Sequence, residues 1–188
     1  ISNTSRDPSA TINWNARLNR KSPTRTLALL PQTAFADADP RLTVIESAAD
    51  LEAVLQARAA GEDAIGSILG IEGAHALEGN IDNLDRLIAE GHRLFGLHHF
   101  FDNALGGSLH GEGQAGLSDF GREVVTRVAS GPYILDLAHS SPQVVRDVIE
   151  ITDIPLVVSH TGVTAFCETQ RNLPDDLMQA VAQTGGTI

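Results

Sequence analysis

Four successive apolar segments of the chain run out into a residue that can hold a metal ion. Residues 64–71 lead into Glu72, 93–98 bring His98 and His99, 133–138 lead into His139, and 156–159 into His160. Taken alone, a histidine at a strand end is ordinarily a hydrogen-bonded structural residue. The repetition is harder to explain by packing, because ionisable groups are disfavoured in an apolar interior unless they are paired or metal-bound. One carboxylate with several imidazoles suits zinc, whose usual ligands are histidine nitrogen and carboxylate oxygen.

For these residues to meet, the segments that carry them must lie side by side and point the same way. The intervening stretches are of the right kind. Ser47, three residues before Asp50, is a helix-cap pattern, and Leu51, Val54, Leu55 and Ala59 follow at helical spacing, which predicts a helix over 48–60 ended by Gly61. Asn80 can cap a helix with Ile81, Leu84, Leu87 and Ile88 on one face and Gly91 as its stop. A third helix begins near Ser118 with Phe120, Val124, Val125 and Val128. A fourth follows Ser141-Pro142 with Val144, Val145, Val148 and Ile149, and a fifth starts near Pro174 with Leu177, Met178 and Val181. Near-continuous apolar strands near 64–72, 93–98, 133–138 and 155–160, with a fifth opening at 185–188, alternate with these helices and predict an α/β fold with parallel pairing.

A doubly wound sheet and a (β/α) barrel both satisfy that pattern, but a barrel gathers the carboxyl ends of its strands at one mouth, where active sites are built. Residues 47–188 are therefore read as a partial (β/α) TIM-type barrel of four to five βα units. Residues 1–46 are read as an irregular segment of the same domain, rich in Ser, Thr, Asn and Pro. Their basic side chains Arg6, Arg17, Arg20, Lys21 and Arg25 face one acid in the first 36 residues, Asp7; a nucleic-acid arm is the sharper reading of those charges and a solvated loop the plainer one. The chain starts at Ile1 and stops as a strand pattern begins, so both ends of a longer protein are expected to be missing.

Composition narrows the function classes. A net charge of −11 over 188 residues argues against a polyanionic partner such as nucleic acid. An apolar share of 42% is enough to bury a core, and no apolar run approaches the length of a membrane span. The lone Cys167 allows no disulfide within the chain, which fits a reducing compartment, cytoplasmic by preference, and equally a simple exported protein. No His and Asn pair accompanies it as a thiol nucleophile would need, and no phosphate-binding glycine motif is present.

The segments Gly70-Ile71-Glu72-Gly73-Ala74-His75, Asp136-Leu137-Ala138-His139, Val158-Ser159-His160 and Arg171-Asn172-Leu173-Pro174-Asp175-Asp176 resemble, in order and register, the signatures of the renal, or membrane, dipeptidase family. The resemblance covers about residues 64–188 and is weak before that. It implies an amidohydrolase-like barrel that hydrolyses small dipeptides with two zinc ions sharing a hydroxide. On it, Glu72 would bridge the two ions, His139 and His160 would be ligands of one of them, and His99 and Arg171 would hold substrate. His99 would also assist the oxyanion, and counting from Gly91-His92-Arg93 favours it over His98.

The same resemblance calls for a His-x-Asp pair on the first strand and an aspartate on the last strand, and neither occurs here. The favoured explanation is an internal piece of a full-length enzyme, inactive by itself; the other is a catalytically inactive half-barrel serving as a binding or assembly module. Open strand edges of a partial barrel make self-association, for instance as a homodimer, an expectation. Gly106, Gly107, Gly111, Gly113 and Gly116 with His110 read either as a mobile lid or as a plain flexible connection. His75 and His92 read as structural or surface residues. Asp136 either orients a neighbouring group, as carboxylates near ligating histidines do, or bonds within the barrel.

Overall fold

The computed structural model describes residues 39–188, so the basic opening of the chain lies outside the described residues. Within them, strands and helices alternate as β1 (Leu42–Val44), α1 (Ala48–Ala59), β2 (Ile65–Ser67), β3 (Gly70–Glu72), α2 (Asp82–Ala89), β4 (Leu94–Gly96), α3 (Asp119–Ala129), β5 (Ile134–Asp136), α4 (Pro142–Ile151) and α5 (Asp175–Gln183), with a single 3₁₀ turn at Ala74–Leu77. The strands form two parallel sheets, β1-β2 and β3-β4-β5. The order continues past β5 through single parallel bridges from Asp136 to Val157 and from Val157 to Thr187.

Local chemistry accounts for the helix starts. Ser47 and Asp50 exchange side-chain to backbone hydrogen bonds at the head of α1. Ser118 and Ser141 accept from the amides of Gly121 and Val144 at the heads of α3 and α4, and Pro142 occupies the first helical position, where its missing N–H costs nothing. At α2, Asn80 accepts from the Asp82 amide, and the helix begins one residue later than the sequence pattern predicts.

One core holds β3 to β5 and α2 to α5 together. Leu84 and Leu87 of α2, Val124, Val125 and Val128 of α3, Val144, Val145 and Val148 of α4 and Leu177 and Val181 of α5 close over Phe95, Leu97, Leu135, Leu137, Leu156 and Val158 from the strand layer. Each such side chain contributes roughly 1.5–3 kcal/mol on burial. Asp147, a buried acid of α4, accepts from the Leu117 amide and from Gln143 Nε2, fixing the start of α3 against α4.

Three expectations need correction. The segment 64–72 is not one strand, because the Leu69 carbonyl accepts from both Arg93 and Leu94 amides and breaks the ladder between β2 and β3. Residues 155–160 pair by isolated bridges rather than a ladder. The stretch read as irregular up to 46 contains β1, which pairs with β2 and is tied to β4 by the Arg93 guanidinium on the Glu46 carboxylate and carbonyl, at 2.7 and 2.8 Å. In α1 only Val54 is buried, while Leu51 and Leu55 are exposed, so that helix covers little of the core.

Two features of β4 make measurable predictions. Gly96 sits where a Cβ would meet the Ile71 carbonyl oxygen at 2.8 Å. Gly96→Ala should therefore push β3 off β4 and lower stability by about 1–3 kcal/mol in urea unfolding; an unchanged midpoint would contradict the close approach. His98, fully buried two residues later, has Nδ1 3.1 Å from Ser140 Oγ. Burial, the dominant cause, pushes its pKa from 6.5 down to about 4. As pH falls below 6.5 the unfolded chain takes up this proton before the folded one, so stability is complete above that value and declines toward pH 4. His98→Asn should lose less stability over that window than the parent protein, and an equal loss would remove His98 from the acid response.

Candidate metal centre

Parallel register brings the site together. Glu72 pairs with Gly96 and Gly96 with Asp136, so the carboxyl ends of β3, β4 and β5 are abreast, and the loops leaving them start at one mouth. Glu72 is the last residue of β3. His99 lies three residues past β4, His139 three past β5, and His160 three past the bridge residue Val157.

Glu72 Oε1 lies 3.1 Å from His139 Nε2 and 3.2 Å from His160 Nε2, and the two Nε2 atoms are 2.9 Å apart. Tetrahedral coordination with bonds of about 2.1 Å has edges of about 3.4 Å, so this near-equilateral triangle has the dimensions of one face of such a site. The donor chemistry, one carboxylate oxygen and two imidazole nitrogens, fits a zinc ion. Among the described residues these three side chains form a candidate metal cluster.

Electrostatics keep the central imidazole in its ligating form. His139 is buried, and its pKa is pushed down to about 4 by burial first, then by the charges of Arg171 and His99, with the Glu72 carboxylate opposing. A neutral ring is what a metal needs. The backbone at His139 has φ +63°, a left-handed conformation uncommon outside glycine that collects at functional turns.

His99 and Arg171 border the triangle. His99 Nε2 is 3.7 Å from Glu72 Oε1, and its ring stands edge-on to the His139 ring at 4.7 Å. Arg171 donates from Nη2 to the His160 carbonyl at 3.0 Å, while Nη1 is shielded and has no protein partner. The adjacent pair His98-His99 is thus divided, His98 entering the core and His99 facing the cluster. His92 is buried with Nδ1 on the Leu87 carbonyl, and His75 is half-buried in the 3₁₀ turn.

The glycine-rich connection carries a network of side-chain hydrogen bonds at its β4 end. Ser108, fully buried, donates to the His99 carbonyl and accepts from the His110 amide, Asp102 Oδ1 accepts from the Ser108 amide, and a Cβ on Gly111 would run into the Asp102 carboxylate. This lattice sets the His110 ring 4.9 Å from Phe100 and 5.7 Å from His139. Phe100, whose ring also packs at 4.5 Å on His99, was not among the sequence candidates. Its only sequence signal is an aromatic directly after the histidine pair. Ser159 was missed as well, although a serine directly before His160 was visible. Asp136 is buried at the end of β5 and bonds both across to the Ser159 amide and along its own chain to the Ala138 amide.

The fold has counterparts among solved structures. An amidohydrolase from Pseudomonas aeruginosa is 25% identical, with a TM-score of 0.72 over 82% of this chain and 46% of its own. The probable dipeptidase PvdM from Pseudomonas aeruginosa, also 25% identical, superposes with a TM-score of 0.73 over 82% of this chain and 40% of its own. A metallo peptidase from Rhodobacter sphaeroides, liganded with a phosphinate mimic of the dipeptide L-Ala-D-Ala, is 27% identical with a TM-score of 0.67 over 79% and 43%. This chain thus spans less than half the length of each of these structures. The family model for membrane dipeptidases, peptidase family M19, matches residues 15–188, and with that match over most of its length the chain belongs to the membrane dipeptidase family.

Proposed function

We propose that the protein is a zinc-dependent dipeptidase in which this segment forms part of a (β/α) barrel and contributes one metal-binding face and the substrate clamp. The observation that carries the reading is the triangle of Glu72 Oε1, His139 Nε2 and His160 Nε2, with sides of about 3 Å at the shared mouth of parallel strands. Family membership and a relative bound to a dipeptide mimic support the substrate class.

In this reading His139 and His160 would hold one of two zinc ions, and Glu72 would be a ligand shared with the other. Bound zinc supplies Lewis-acid activation of water and of the scissile carbonyl. His99, at the edge of the cluster, holds the oxygen on which negative charge develops. Arg171 takes the terminal carboxylate: Nη2 on the His160 carbonyl fixes the guanidinium plane, and Nη1 has no protein partner to give up. The remaining ligands of the second ion and the proton-transferring aspartate have no counterpart in these 188 residues, and the proposal assigns them to a longer protein. The same gap favours, as a second reading, a binding or assembly module without catalysis.

In the full-length protein, Glu72→Ala should abolish dipeptide hydrolysis and reduce bound zinc together. Arg171→Ala should raise KM for dipeptides about 10- to 100-fold, the loss of one charge-assisted contact, with zinc content unchanged. Steady-state kinetics beside metal analysis reads both. Undiminished hydrolysis after chelation, or after Glu72→Ala, would remove the metallopeptidase reading; residues 1–188 alone should show little turnover, and robust turnover would show that the catalytic set is misassigned.

A further inference from the structure

Beneath the metal triangle runs a second set of bonds that begins at Asp136. Its Oδ1 accepts from the Ala138 amide at 3.0 Å and from the Ser159 amide at 3.0 Å, and its Oδ2 accepts from Ser159 Oγ at 2.5 Å. Ser159 Oγ is in turn 2.9 Å from His160 Nδ1. The direction of these bonds is determined by the inventory of donors. A carboxylate receiving three donors can only accept, so the single hydroxyl proton of Ser159 goes to Asp136. The hydroxyl then faces His160 with a lone pair, and a bond at that distance requires the proton on Nδ1. In the neutral ring Nε2 is therefore the bare nitrogen, and Nε2 is the atom that lies 2.9 Å from His139 Nε2 and 3.2 Å from Glu72 Oε1.

Asp136 reaches the other imidazole by a different route. Its bond to the Ala138 amide, together with the Ser140 amide on the Leu137 carbonyl, closes the turn in which His139 takes its left-handed backbone. The Leu109 amide on the His139 carbonyl and the Ser141 amide on the Gly107 carbonyl hold the far side of the turn, so the Asp136 bond is the side-chain clamp on its near side, where it helps to support a conformation unfavourable for a residue with a Cβ.

We propose that Asp136 is the positioning residue for both histidine ligands, selecting the Nδ1–H tautomer of His160 through Ser159 and clamping the turn that presents His139. The inference rests on the metal-site reading of Glu72, His139 and His160, and it adds a role for Ser159 that no motif spacing assigns. A ligating histidine whose second nitrogen donates to an acceptor is a more basic and better oriented ligand. Here that acceptor is a hydroxyl that a buried carboxylate keeps from turning around.

A purely structural role for Asp136, tying β5 to the neighbouring segment, makes a different prediction, because Ser159→Ala leaves both backbone bonds of Asp136 in place. The test uses the full-length protein with histidine labelled in its ring nitrogens, His160 being assigned by comparison with His160→Gln. In metal-stripped protein, wild-type His160 should show the Nδ1–H signature, and Ser159→Ala should shift it toward a mixture with Nε2–H at unchanged melting temperature. Zinc affinity, measured by competition with a chelator, should fall about 10- to 100-fold in Ser159→Ala, return to within about threefold of wild type in Ser159→Thr, and fall further in Asp136→Asn. A wild-type His160 protonated on Nε2, a Ser159→Ala affinity within about threefold of wild type, or a loss that threonine does not restore would each overturn the proposal. The tautomer and the zinc affinity are read without substrate. A protein that passes these tests and fails to hydrolyse dipeptides refutes the dipeptidase reading alone, and one that hydrolyses dipeptides with Ser159→Ala indistinguishable from wild type refutes this inference alone.

Discussion

Everything at the mouth depends on the parallel alignment of β3, β4 and β5. Their register sets Glu72, Gly96 and Asp136 in one row, and the chain leaves each strand on the same side. Parallel strands need a crossover of a dozen or more residues between them, and a helix supplies it. The apolar faces of α2, α3 and α4 are thus what pay for a row of polar strand ends. The middle of the row is a glycine because the neighbouring backbone leaves no space for a side chain.

The mouth has a charge problem that the rest of the molecule does not share. The chain is strongly acidic, yet His99, His139 and His160 gather around the carboxylate of Glu72, with His110 and Arg171 beside them. Burial and the nearby cations hold His139 neutral, and burial with Arg171 and His99 also lowers the pKa of His110. Imidazole nitrogens converging on one carboxylate oxygen make up the donor set of a candidate metal site. Arg171 is the cation beside this cluster, its Nη2 on the His160 carbonyl.

The connection between β4 and α3 shows how a flexible composition becomes a fixed structure. Glycine permits the close approaches, but Ser108, Asp102 and Asn103 supply the bonds, Asn103 donating to the Leu97 carbonyl and accepting from the Leu105 amide. Leu105 and Leu109 anchor the segment in the interior. The result is a bonded segment that carries His110 and backs His99.

Sequence alone determined the alternation of strands and helices, the helix starts at Ser47, Ser118 and Ser141, and the residue types at the strand ends, because capping and amphipathic spacing are local and act over a few residues. It also carried the family, through motifs short enough to be read without a fold. Tertiary structure decided the rest. The break at Leu69 depends on two amides of a distant strand competing for one carbonyl, the strand β1 exists only because β2 is there to pair with it, and the division of His98 from His99 follows from which ring the core around Ser140 accepts. The bonds from Asp136 through Ser159 to His160 join residues 23 positions apart, and no spacing along the chain encodes which of two nitrogens carries a proton. Only the packing of adjacent parallel segments brings a carboxylate, a hydroxyl and an imidazole into one line.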